Sequence, residues 1–319
     1  MRTLLRTAMA AAAVVALSPP LAAQAPATPP AATPAPTPPP PIVKPGELRK
    51  VSDHVQIIPD DSVPLVPNVG FVVGDKAVLV IDTGMGPRNG AAVSEVAQKL
   101  AGGTRTVYLV PTHFHPEHDL GAQAFPASTK LIRSEDQQKD IAEFGLQVAK
   151  VFAARGPVFA ELLKDADFRK PDITFAKDYD LDLGGVHAKL IAMGPNHTRG
   201  DLVISVEPDR VLFAGDLAMK AQPAFASPYS SVHQWLGSLD KLEALKPVLI
   251  VPSHGPTGEA SFITGYRAYL TDIRDRTAAE KRAGKTEDQA VAAVSAALPN
   301  YPDRARLTGA IKAAYGEAP

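Results

Sequence analysis

Six consecutive residues, His113-Phe114-His115-Pro116-Glu117-His118, gather three imidazoles and a carboxylate in one short stretch. Neutral imidazole nitrogen and carboxylate oxygen are ligands that borderline divalent ions accept. The stretch follows the apolar run Val107-Tyr108-Leu109-Val110, which predicts a buried strand. The cluster is therefore expected in the loop at that strand's C-terminal end, and loops on a rigid sheet are where chemistry tends to sit. A buried structural histidine normally stands alone, whereas three of this chain's eight are found here.

Four more segments have the same form. Ile81-Asp82-Thr83-Gly84 lies upstream, and Gly194-Pro195-Asn196-His197-Thr198-Arg199-Gly200-Asp201, Phe213-Ala214-Gly215-Asp216 and Pro252-Ser253-His254-Gly255 lie downstream. They follow the strand-like runs 77–81, 189–193, 211–213 and 248–251. Each run thus ends on a ligand-type side chain next to a turn former, which is how a sheet assembles a site from distant pieces of chain.

The order Asp, His-x-His-x-acid-His, His, Asp, His resembles that of the metallo-β-lactamase superfamily of metallohydrolases, with all five motifs present between about Val51 and Arg282. The resemblance implies an α/β fold, a four-layer α/β/β/α sandwich, with a two-metal site at one edge of the paired sheets. Carried over residue by residue, His113, His115 and His197 would bind a first ion. Glu117, His118 and His254 would bind a second, and Asp216 would bridge the two. Asp82 would brace the ligand loops through hydrogen bonds. The family usually has aspartate where this chain has Glu117. The ions implied are two divalent cations per chain, with zinc expected and manganese or iron as alternatives.

The chemistry implied is hydrolysis. Two divalent ions about 3.5–4 Å apart bring the pKa of a shared water toward neutrality and polarise the electrophile. In this scheme a bridging hydroxide attacks a carbonyl or phosphoryl centre, while Glu117 orients it and shuttles its proton. A protein nucleophile is not required: the chain has no cysteine, and no serine stands at a nucleophile elbow. In the β-lactam-cleaving branches the Asp216 position is typically cysteine or serine. A bridging aspartate points instead to lactone, ester, thioester or phosphodiester hydrolases, or to diiron redox members. The leading expectation is a hydrolase of a small carbonyl substrate, either a lactone, an ester or a thioester. A β-lactam-hydrolysing enzyme is the alternative, and a non-catalytic or redox metal-binding protein is the alternative from another class.

Composition fits that reading. With 319 residues and 45% hydrophobic content the chain can bury one large core. A net charge of −1 gives no electrostatic reason to expect nucleic acid or an anionic membrane as partner, so the partner expected is a small molecule. The oligomeric state is left open.

Residues 1–23 read as a secretory signal: a basic start at Arg2 and Arg6, an uncharged apolar stretch from Ala8 to Leu17, and small residues at Ala22-Ala23 for cleavage before Gln24. That stretch is too short to span a membrane, so no stable anchor is expected after cleavage, and the location expected is periplasmic or secreted. Residues 24–46 are rich in Ala, Pro and Thr and read as an extended tether. Residues 47–283 would form the catalytic domain and 284–319 a C-terminal helical extension.

Within the domain, strands are expected at 54–58, 69–73, 77–81 and 129–133, and helices at 88–100, 231–245, 259–282, 287–297 and 304–315. Ile141, Phe144, Val148, Val151 and Phe152 recur at helical spacing and predict an apolar face on an insert, which is either a cover for the sheet or a lid over the cleft. Trp235 is expected in the core and His233 at the surface. His54 and His187 are expected in structural roles.

Overall fold

A computed structural model describes residues 42–220, 230–299 and 304–319, with side chains from 306 in the last segment. The signal and most of the tether therefore lie outside the described residues.

The apolar runs become two sheets. The first takes β1 (Arg49–Lys50), β2 (Val55–Ile58), β3 (Val69–Val73), β4 (Ala77–Ile81), β5 (Thr106–Val110), β6 (Lys130–Ser134) and β7 (Ile173–Phe175) in sequence order. Pairing is antiparallel up to β4 and parallel from β4 to β7. The second sheet has β8 (Asp178–Asp182), β9 (His187–Gly194), β10 (Asp201–Glu207), β11 (Val211–Gly215) and β12 (Leu249–Pro252), in the order β12-β11-β10-β9-β8. Only its β11–β12 pair is parallel.

Parallel neighbours need a crossover, and here helices provide it. α1 (Gly86–Ala101) links β4 to β5 and α6 (Val232–Ala244) links β11 to β12. Ile57, Leu79, Ile81 and Val110 of the first sheet meet Leu190, Leu202, Ile204 and Phe213 of the second in a layer between them. Val93, Val96 and Ala97 of α1 cover the first sheet's outer face at Phe71, Val80 and Leu109. The second sheet's outer face is covered by α6 together with α7 (Ser261–Arg282), α8 (Glu287–Ala297) and α9 (Arg304–Glu317). These are the expected four α/β/β/α layers. Trp235 is fully buried there, and its Nε1 donates to Leu217 O at 2.9 Å.

In the insert between β6 and β7 the break at Gly156-Pro157 and a short second helix agree with the sequence, but the first helix is not continuous. α3 (Glu135–Asp140) passes through a π-helical turn over Ile141–Gly145 into α4 (Leu146–Ala153), and α5 (Pro157–Leu162) follows. A π turn adds one residue and rotates the faces beyond it. Phe152 therefore stays buried, while Val151, expected on the same face, is 54% exposed. Phe152 packs with Leu65 and Met85 beside the histidine cluster, not over the middle of the sheet.

Two contacts hold the histidine loop against α1 and the segment that leads into it. Thr83 Oγ1 donates to His118 O (2.9 Å) and accepts from Gly121 N (3.1 Å). Gly90 of α1 packs on Gly121 so closely that a Cβ there would stand 2.0 Å from its carbonyl oxygen. In a free helix Gly→Ala gains about 1 kcal/mol, but overpacking against backbone costs about 1–3 kcal/mol, so the clash should win. Gly90→Ala is expected to lower the thermal melting temperature and to displace the loop carrying Glu117 and His118. An unchanged or raised melting temperature would contradict this packing.

Candidate metal centre

The strand ends deliver the motifs to one place. Asp82 follows β4, and His113 to His118 follow β5 and enter a short helix, α2 (Pro116–Asp119). His197 precedes β10, Asp216 follows β11 and His254 follows β12. All five segments lie at the same edge of the sandwich, and the seven candidate ligand side chains are buried.

Their donor atoms form three overlapping groups, each spanning no more than 4.8 Å: His113, His115 and His197, then Glu117, His118 and His254, then His113, His118 and Asp216. His115 Nδ1 lies 3.1 Å from both His113 Nε2 and His197 Nε2. That spacing is close to the edge of a tetrahedron whose metal–nitrogen bonds are about 2.0–2.1 Å. Asp216 lies between the groups, with Oδ2 3.5 Å from His197 Nε2 and Oδ1 3.9 Å from His254 Nε2. Glu117 Oε1 is 3.8 Å from His118 Nε2, so the glutamate, despite its extra methylene, reaches the second group.

The other imidazole nitrogens are used to aim these rings. His118 Nδ1 donates to Asp82 Oδ2 at 2.9 Å and His254 Nδ1 to Val66 O at 2.8 Å. Thr112 Oγ1 donates to Asp82 Oδ2 (3.1 Å) and accepts from His113 Nδ1 (3.2 Å). Each of these rings therefore turns its Nε2 toward the cluster, with the tautomer set by its outer partner. Glu117 Oε2, His118 Nε2 and Asp216 Oδ1 are buried and have no hydrogen-bond partner. Buried polar atoms rarely go unpaired. Three converging in one spot fit a bound cation, and the donor set suits zinc, manganese or iron.

Some supporting residues were not predicted. Asp201 accepts from the backbone nitrogens of His197 (2.7 Å) and Thr198 (3.0 Å), which fixes the His197 turn. Its place four residues after His197, in a motif ending Arg199-Gly200-Asp201, was the available signal. Asn68 Nδ2 donates to Pro252 O (2.9 Å) and Gly255 O (2.8 Å), tying down the His254 loop. Nothing in the sequence links positions so far apart. Buried Arg133 pairs with Asp119 beneath α2. His54 pairs with Asp209, His187 with Asp180, and His233 is exposed on α6, so none of these joins the cluster.

Protonation follows from burial and neighbours. Burial and the adjacent imidazoles hold His113 and His115 well below the usual histidine range. Burial would also lower His118, but Asp82, by its charge and hydrogen bond, and then Glu117 and Asp216 raise it to about 9. Burial raises Glu117 to about 7. Burial opposes ionisation of Asp216 as well, but His197, His254 and His118 outweigh it and hold the carboxyl well below the usual range.

A family model described as the metallo-β-lactamase superfamily matches residues 62–254. Linear primary-alkylsulfatase of Pseudomonas sp. (strain ATCC 19151) is 22% identical over 282 residues, which is 77% of this chain and 52% of that protein. Acyl-coenzyme A thioesterase MBLAC2 of Bos taurus is 22% identical over 188 residues, covering 55% of this chain and 66% of the thioesterase. The chain thus spans about half of the first relative and two thirds of the second. Among solved structures, a metallo-β-lactamase from Pontibacter korlensis aligns with a TM-score of 0.54 at 22% identity, covering 70% of this chain and 98% of its own. The sec-alkylsulfatase Pisa1 from Pseudomonas sp. aligns with a TM-score of 0.61 at 18% identity, covering 84% and 49%.

Two outcomes check the geometry. Asp82→Asn should weaken binding of added zinc about 10–100-fold, the usual effect of losing a group that orients a ligand, with circular dichroism unchanged. Equal affinity would remove Asp82 from the site. Uptake should also depend on pH. His118 Nε2 keeps its proton below about 9 and Glu117 below about 7, and both protons must leave before a cation binds. Zinc affinity should therefore fall as pH drops from 8 to 6, with proton release visible as a buffer-dependent heat in calorimetry. Affinity that does not vary with pH would contradict the assignment.

Proposed function

As the chain belongs to the metallo-β-lactamase superfamily, we propose that it is a two-metal hydrolase of a small ester, thioester or lactone. The observation that carries this reading is the Asp216 carboxylate, which lies between the His113–His115–His197 group and the Glu117–His118–His254 group. Two divalent ions held there would supply an activated water and an electrophile-polarising charge at neutral pH.

The protein side of the chemistry falls to residues with distinct tasks. Asp216, kept anionic, sets the spacing between the two groups and raises the basicity of whatever lies between them. Glu117, whose buried Oε2 has no hydrogen-bond partner, orients the attacking water, takes its proton and returns that proton to the leaving oxygen or sulfur. The thioesterase relative favours an acyl centre.

A second reading, sulfate-ester hydrolysis, is favoured by the alkylsulfatase match, which extends over 77% of this chain. The basic, apolar and small-residue N-terminus supports export, which favours small substrates met outside the cytoplasm.

A panel of lactone, ester, thioester, alkyl sulfate and β-lactam substrates, with and without chelator, tests the proposal. Metal-dependent turnover should be highest on one of the three acyl classes and vanish on chelation. Efficient cleavage of β-lactams alone would overturn it. Asp216→Ser should lower turnover on the order of 10²–10³-fold, comparable to losing one preorganised electrostatic group. A loss under about tenfold would put Asp216 outside the reaction centre.

A further inference from the structure

Within the insert, α4 leads into an arginine whose surroundings give it a task. Arg155 follows α4 at an exposed position, and its guanidinium carbon lies 4.3 Å from the centre of the Phe152 ring. Phe152 is buried, packs with Leu65 and Met85, and stands with its ring centre 5.7 Å from that of His115. One aromatic ring thus separates the guanidinium from a member of the metal-ligand set. Stacking holds the planar group flat while its N–H edge remains available to a partner. Among the described residues no carboxylate forms an ion pair with it.

We propose that Arg155 is a specificity-determining residue that receives an anionic oxygen group on the substrate, so that the site selects substrates carrying a carboxylate, sulfate or phosphate beside the scissile bond. This rests on the hydrolase reading above and narrows it to anionic substrates.

Two considerations support the assignment. Two divalent ions set against the two carboxylates of Glu117 and Asp216 leave a positive surplus, and a further cation at the rim would be repelled unless an anion enters. Finally, a cation just past a helix C-terminus is favoured by the helix dipole, which explains a positive charge there but not its stacking on the ring that borders His115. Planar guanidinium meets carboxylate and sulfate oxygens through paired N–H groups.

The test uses the full, metal-loaded protein and compares para-nitrophenyl hydrogen succinate with the uncharged para-nitrophenyl pentanoate. Arg155→Gln should lower the ratio of kcat/KM between charged and neutral ester about tenfold, mainly through KM, as expected for losing one charge-assisted contact. Arg155→Lys should retain part of the ratio, since it keeps the charge but not the fork. Arg276→Gln removes an equal charge from the distant α7 pair with Asp272 and should leave the ratio unchanged. A ratio unchanged by Arg155→Gln, or lowered equally by Arg276→Gln, would overturn the proposal. If wild type cleaves neither ester, the hydrolase reading fails on this class, and calorimetric binding of succinate decides the matter for Arg155. Succinate affinity about tenfold weaker in Arg155→Gln would support the anion contact. Equal affinity would show that metal-ligand contacts alone hold the anion.

Discussion

The carboxylate of Asp82 is the joint on which the site depends. It accepts from the Thr112 backbone nitrogen (2.7 Å), from Thr112 Oγ1 and from His118 Nδ1. The end of β4 is thereby fastened to both the start and the finish of the histidine loop. To reach those donors the residue takes a left-handed backbone conformation, φ 64°. That costs a non-glycine residue of order 1–3 kcal/mol, and such strain persists where surrounding contacts hold it. Here three hydrogen bonds to a buried carboxylate offset the cost. The parallel β4–β5 ladder sets the distance, pairing Ile81 with Val110 immediately before both segments turn out of the sheet.

Charge explains why so much bracing is needed. Five buried imidazoles and two buried carboxylates within a few ångströms would be unstable if left to rearrange. Each ring that gives its Nδ1 to Asp82, Val66 O or Thr112 loses the freedom to turn its Nε2 elsewhere. The unpaired Nε2 and carboxylate oxygens then converge where no protein donor can satisfy them. This leaves a buried cluster of ligand-type groups that could hold a metal ion. Arg155 and Phe152 extend the same logic outward, because the insert carrying them is pinned by Leu65 and Met85 on the neighbouring loops.

Much of this was legible in the sequence because ligand motifs and strands are read by the same rule. Apolar runs such as Val107–Val110 mark both a buried strand and the point where its loop must begin. The five motifs name side chains that the fold brings together, and Trp235 and His233 fell where helical spacing put them. Other parts obey no local pattern. β7 is only three residues long, and β8 is largely exposed and Asp-rich, so neither carries the apolar run that marks the other strands. The π turn at Ile141–Gly145 arises where Gly145 meets Phe168, a tertiary contact, and it shifts Val151 off the expected face. Asn68 and Val66 support the His254 loop across more than 180 residues of sequence separation. Such pairs cannot be read from spacing in a single chain.

The central claim is that two separate ligand groups share Asp216. Anomalous diffraction from crystals of the zinc-loaded protein tests it directly. Two peaks about 3.5–4 Å apart are expected, one against His113, His115 and His197 and the other against Glu117, His118 and His254, with Asp216 touching both. A single peak at full zinc loading, or peaks that leave Asp216 without contact, would contradict the account.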